Sequence, residues 1–151
     1  MKRWLRNMLL LIVCTLSVGA QAEDMLMVRS HALFEESMSA LQEAISAQGY
    51  TLSRVQRVDI GLSESGFKTD KYRAVFFGKP EEIRALSARY PELIPYMPLQ
   101  IVIFAEGDET LLVAANPLHL RADYADAELG VVFARWEQDM RTIMEQVRKA
   151  E

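Results

Sequence analysis

Leu99-Gln100-Ile101-Val102-Ile103-Phe104-Ala105, then Glu106-Gly107-Asp108-Glu109, then Thr110-Leu111-Leu112-Val113-Ala114-Ala115 is the stretch on which the fold turns. Two apolar runs rich in β-branched residues flank four polar residues that include a glycine, a pattern that predicts two antiparallel strands joined by a tight hairpin. The runs do not alternate apolar with polar. Leu99, Ile101 and Ile103 point one way and Val102 and Phe104 the other, while Leu111 and Val113 oppose Leu112 and Ala114. A strand that is apolar on both sides needs something packed on each of them.

Reading toward the N-terminus, Pro91, Pro95 and Pro98 punctuate a connector that follows a short helix starting at Pro80 and running to about Tyr90, with Glu81 and Glu82 at the positive end of its dipole. The strand before it, Tyr72 to Phe77, repeats the two-sided pattern, with Ala74 and Phe76 opposing Val75 and Phe77. Thr51 to Ile60 is rich in β-branched residues and predicts another strand, followed by a polar loop from Gly61 to Lys71. Asp24 to Arg29 predicts the first strand. Phe34, Met38, Leu41, Ala44 and Ile45 then recur at helical spacing until Gly49 stops the helix. Beyond the hairpin, Leu129, Val132, Trp136, Met140, Ile143, Met144 and Val147 mark a long C-terminal helix beginning after Asp123. The expected fold is α+β. An antiparallel sheet of about five strands, in the order β-α-β-β-(short α)-β-β-α, carries the long C-terminal helix on it.

The first twenty-two residues read as a secretory leader: Lys2, Arg3 and Arg6, an apolar run from Met8 to Val13, and Ala20-Gln21-Ala22 before Glu23. Cleavage after Ala22 is expected, giving a periplasmic or secreted domain of residues 23–151. Permanent anchoring is the weaker alternative, because Cys14, Thr15 and Ser17 interrupt an apolar stretch shorter than the roughly twenty residues of a membrane span. Val13 lacks the small side chain that a lipoprotein signal wants before its cysteine, so no stable membrane anchor is expected. The leader holds three of the 17 basic residues and none of the 21 acidic ones, leaving 14 against 21, a net charge of −7. That balance, with basic residues scattered, argues against nucleic acid as a partner. Cleavage also removes Cys14, the one cysteine, and with it any disulfide or thiolate.

Phe34-Glu35-Glu36-Ser37, Leu41 with Gly49-Tyr50, Pro91 to Leu99 leading into Ile101-Val102-Ile103, Asn116-Pro117 and Tyr124-Ala125-Asp126 together resemble the bacterial domain-of-unknown-function family 302 across nearly the whole mature chain. The resemblance implies a TATA-binding-protein-like α+β fold, and a homodimer. This chain departs from the family pattern at Leu99, where many members carry cysteine after the proline, which puts any thiol-based role of the family in doubt here.

Candidate functional residues fall into small groups. The central strands supply Phe76 and Phe104 on one side of the sheet. Leaving five or six such side chains in water would forfeit about 1.5–3 kcal/mol each. Either the helices divide between the two faces, or a second copy, an envelope partner or a small apolar ligand covers one. Tyr96 and Met97, set between Pro95 and Pro98, read as a recognition surface or as a turn capping the sheet. His119 follows Asn116-Pro117, and it and His31 are isolated residues of surface or capping type. Arg57 and Asp59, together at the end of the second strand, suggest an ion pair or a polar pocket. With no His-x-x-x-His or Glu-x-x-His spacing, no zinc site is expected. Met25 and Met27 share a strand face that a copper(I) site would use, but core methionine is the ordinary reading. No hydrolase triad or cofactor motif is present in sequence. The expected function is binding: self-association, docking to an envelope partner, or enclosure of a small apolar ligand. An accessory role in envelope redox or sulfur chemistry, or an enzyme built on Asp59, Arg57 and His119, is the alternative.

Overall fold

The computed structural model describes residues 24–150, so the leader and the expected cleavage after Ala22 lie outside the described residues. Five strands, β1 (Met25–Ser30), β2 (Thr51–Arg57), β3 (Tyr72–Gly78), β4 (Leu99–Glu106) and β5 (Glu109–Ala115), form one sheet in the order β1-β5-β4-β3-β2. Every pairing is antiparallel. The hairpin expected between β4 and β5 is present, and Gly107 makes its turn at φ +64°, a conformation that costs glycine nothing.

Helix α1 (Phe34–Ala47) ends where Gly49, at φ +73°, lets Gly49 N–H and Tyr50 N–H bond back to Ser46 and Ile45 carbonyls. The last helix, which we call α4, spans Ala127–Lys149. Asp126 caps it, its carboxylate accepting from Glu128 N–H at 2.8 Å and Leu129 N–H at 3.2 Å. Those amides hold the Asp126 carboxyl below its usual range. Between β3 and β4 lie α3 (Pro80–Arg89) and a 3-10 turn, Pro91–Tyr96. A second 3-10 turn, Pro117–Ala122, joins β5 to α4.

One expectation is corrected. The strand predicted over Thr51 to Ile60 ends at Arg57, and Val58–Glu64 turn into a short helix, α2. Val58 and Ile60 favour a strand by local preference. Tertiary contact overrides that preference, because Asp59, in the first turn of α2, pairs with Arg73 of β3, their side chains only 16% and 13% exposed. Burial raises and Arg73 lowers the Asp59 carboxyl, and Arg73 wins, holding it below the ordinary value. The Arg57–Asp59 ion pair expected from sequence is therefore an Arg73–Asp59 pair, and Arg57 stands exposed on the sheet edge.

The register sorts the sheet into two faces, since residues directly opposite in an antiparallel pair share a side. On the inner face Val75 lies opposite Val55 and Ile101, Ile103 opposite Leu112, and Leu112 opposite Val28. These pack with Phe34, Leu41, Ala44 and Ile45 of α1 and with Phe133, Trp136, Met140, Ile143 and Val147 of α4 in one core. The polar groups beside this core are paired. Tyr50 Oη donates to Asp139 at 2.6 Å, Arg135 meets Glu82, and Trp136 Nε1 donates to Glu82 at 3.2 Å, tying α3 to α4. Burial and the adjacent Asp139 push the Tyr50 hydroxyl well above its ordinary range, so it stays a donor.

On the outer face one row runs Gln56, Ala74, Val102, Val113, Met27 and the next runs Tyr72, Phe104, Leu111, Arg29. None of these side chains belongs to the core shared with the helices. The two long helices do not divide between the faces; α1 and α4 both pack on the inner one, while the short α2 borders the outer face through Leu62. No helix among the described residues is long and apolar enough to cross a membrane.

Candidate functional site

The outer face opens at one end into a cavity of about 640 Å³. Its floor is the sheet, with Phe76 of β3, Val102 of β4, Val113 of β5 and Met25 of β1. The two connectors that leave that end of the sheet form its sides. One carries Pro95, Tyr96, Met97 and Pro98, and the other Asn116, Pro117, His119 and Leu120. Trp136 and Met140 of α4 reach its inner end.

Local chemistry explains why each wall stands where it does. Leu93 is fully buried and anchors the 3-10 turn of the first connector. Tyr96 then stacks edge-on against Tyr124, centroids 6.3 Å apart, and Tyr124 in turn packs against Phe133 of the core. The Met97–Pro98 peptide is cis. Tyr124 loses solvent and gains Tyr96 as a neighbour, both of which lift its hydroxyl above the ordinary range. On the second connector Asn116 is buried, its side-chain oxygen accepting from Leu118 N–H at 3.0 Å and its own N–H donating to the Asp24 carbonyl at 3.1 Å. Pro117 occupies the first position of the turn, where its missing N–H costs nothing. His119 Nε2 lies 3.2 Å from Asp24.

Five residues singled out separately from sequence therefore meet in one place: Phe76, Tyr96, Met97, Asn116 and His119. Phe104 does not join them. It lies toward the hairpin end of the sheet beside Tyr72, ring centroids 6.1 Å apart, in a smaller cavity of about 470 Å³ with Leu62 and Phe67. Arg57 and Asp59 are also remote from His119. Arg57 pairs with Arg73, next to Ile103 and the hairpin half of the sheet, whereas His119 follows the opposite end of β5. The catalytic grouping of Asp59, Arg57 and His119 is not assembled. His31, the other histidine, sits 2.6 Å from Glu109 beside the hairpin, where Glu109 also receives Arg29 at 3.0 Å.

Asp24, Asp123, Trp136 and Met140 line the cavity and were not marked by sequence. Trp136 and Met140 carry the helical period of a core face, and nothing in that period separates a core position from a cavity wall.

A five-stranded antiparallel sheet with its long helices on one side and an apolar face and end cavity on the other defines an α+β protein with one accessible sheet face. Residues 26–147 match the family described as Domain of unknown function DUF302, and the chain belongs to that family. It is similar to the crystal structure of uncharacterized conserved protein DUF302 from Bacillus stearothermophilus, with TM-score 0.75 and 18% sequence identity over 84% of this chain and 100% of that one. At that identity the likeness is one of fold. Comparison with curated proteins gives no match.

Proposed function

We propose that this chain is an exported binding domain of the periplasm or cell surface, which works by enclosing a small apolar ligand between the outer face of its sheet and the two connectors at its end. One observation carries the reading: the long helices occupy a single face, so the other keeps Val102, Val113, Phe76 and Met25 at the floor of a cavity. Its volume falls within the roughly 300–1,000 Å³ of small-molecule sites, and its apolar floor with a few polar groups at the side is their usual composition. The leader supports the location, because its three parts match an export signal.

Self-association is the second reading, favoured by the size of the face and by Met25 and Met27, 46% and 61% exposed on its β1 side. Five strands about 4.8 Å apart, rising about 3.3 Å per residue, present on the order of 550 Å² of flat area. Side-chain relief carries that toward the ~800 Å² that one partner contributes to a standard interface.

Native mass spectrometry of the protein purified from the periplasm, compared with its denatured mass, tests both. A monomer carrying mass that is lost on denaturation is the expected result, and a dimer of bare chains would transfer the face to the second reading. A bare monomer, unchanged on adding apolar compounds, would overturn both.

A further inference from the structure

We infer that the cavity selects a cationic amphiphile, an apolar body carrying a single ammonium group; this deepens the ligand-binding reading above and rests on it. The charged side chains that line the cavity are Asp24, Asp123 and His119, so it holds two carboxylates and neither lysine nor arginine. Arg121, two residues before Asp123, is turned to the Gly130 carbonyl, to which it donates at 2.7 Å and 3.2 Å. An anionic head placed in the cavity would meet two carboxylates, with His119, its Nε2 3.2 Å from Asp24, as the one basic side chain of the lining. A cationic head would meet opposite charge from Asp24 and Asp123, both exposed, so the attraction is that of a contact screened by water.

The aromatic side chains point the same way. Elsewhere among the described residues protein cations sit over ring faces: Lys71 and Arg73 over Phe34, Lys79 over Tyr50 at 4.5 Å, and Arg89 over Tyr90. Phe76 and Tyr96, the aromatic rings of the sheet floor and the first connector, have no such cation among those pairs. Aromatic faces recognise ammonium ligands, and Phe76 and Tyr96 line the same cavity as the two carboxylates. The mature charge of −7 adds a long-range preference of the same sign. Val102 and Val113 then receive the apolar body.

Three probes of equal chain length, decyltrimethylammonium, decanoate and the uncharged decyl maltoside, each kept below its micelle concentration, separate the possibilities by titration calorimetry of the purified protein. The ammonium probe is expected to bind at least roughly tenfold tighter than decanoate, the size of one moderately screened charge contact. The double variant Asp24→Asn with Asp123→Asn is expected to bring the two to parity and leave decyl maltoside unchanged. Val102→Lys, placing a cation on the floor, is expected to reverse the order, which adsorption elsewhere on the surface would not do. If decyl maltoside binds and the ammonium probe has no advantage over decanoate, the charge selection is wrong and the apolar site stands. If none of the three binds, the site itself is wrong.

Discussion

Ile101 and Val102 are neighbours in one strand and meet opposite fates. Ile101 is fully buried under α1 and α4, while Val102 lies half-buried at the floor of an open cavity. The inner face joins five strands and two long helices through interlocked apolar side chains, with the Tyr50, Asp139, Arg135 and Glu82 groups satisfied at its margin. The outer face has a similar apolar content and no long helix; the short α2 borders it through Leu62, beside Tyr72 and Phe104. The difference teaches that apolar composition on a strand marks a need for cover without saying whose cover it is. Two amphipathic helices of 14 and 23 residues suffice for one face of a five-stranded sheet, and they do not extend to the other.

The sharpest way to break this comparison uses two adjacent phenylalanines. Phe77, fully buried on the inner face, is expected to cost about 3–5 kcal/mol on substitution by alanine, measured from urea unfolding midpoints. Phe76→Ala, on the outer face, is expected to cost about 1–2 kcal/mol, because part of that ring is already in water, and to weaken ligand binding instead. Equal losses at the two positions, rising with protein concentration, would mean that a second copy packs the outer face as tightly as the helices pack the inner one.

A smaller effect is expected from Tyr50→Phe, which removes the hydroxyl between Asp139 and Arg135 and leaves the ring packed against Phe77 at 5.4 Å. Its expected cost is about 1–2 kcal/mol, since a charged acceptor loses its partner at the edge of the core. Ligand affinity at the outer cavity should not change. A drop in affinity without loss of stability would couple the two faces.

The smallest effect is expected from acid. Glu145 of α4, which Arg148 holds at about 2 against an ordinary 4.5, contributes stability that is complete above the ordinary value and declines as pH falls toward 2. Asp59 and Asp126 are depressed in the same direction by Arg73 and by the α4 amides. All three sit on or beside the helical side. Thermal midpoints should therefore fall between pH 4.5 and 2, and the Glu145→Gln variant should lose less over that window than the parent chain.

Much of this was legible before any coordinates. The β4–β5 hairpin announces itself through Gly107, the two-sided strands through their unbroken apolar runs, and α4 through seven apolar residues at helical spacing. Helix α2 was hidden, because Val58 and Ile60 read as strand and the Arg73 contact that decides otherwise comes from a different part of the chain. The cavity was half legible. Tyr96, Met97, Asn116 and His119 stand out as rigid or polar residues between elements, yet that they face one another depends on β5 lying next to β4 with both connectors leaving at the same end. Asp24 and Asp123 carry no local pattern at all.

The strand order has one more consequence. β1 sits at the margin of the sheet with β5 as its only partner, Met25 beside Ala115 and Ser30 beside Thr110. A chain made from its N-terminus therefore produces its first strand long before the one that holds it, and closing the intervening loop has an entropic cost that grows with the logarithm of its length. Until residues 110–115 have been made, the ladder that holds Met25–Ser30 cannot form, so the sheet is closed at this margin only late in synthesis.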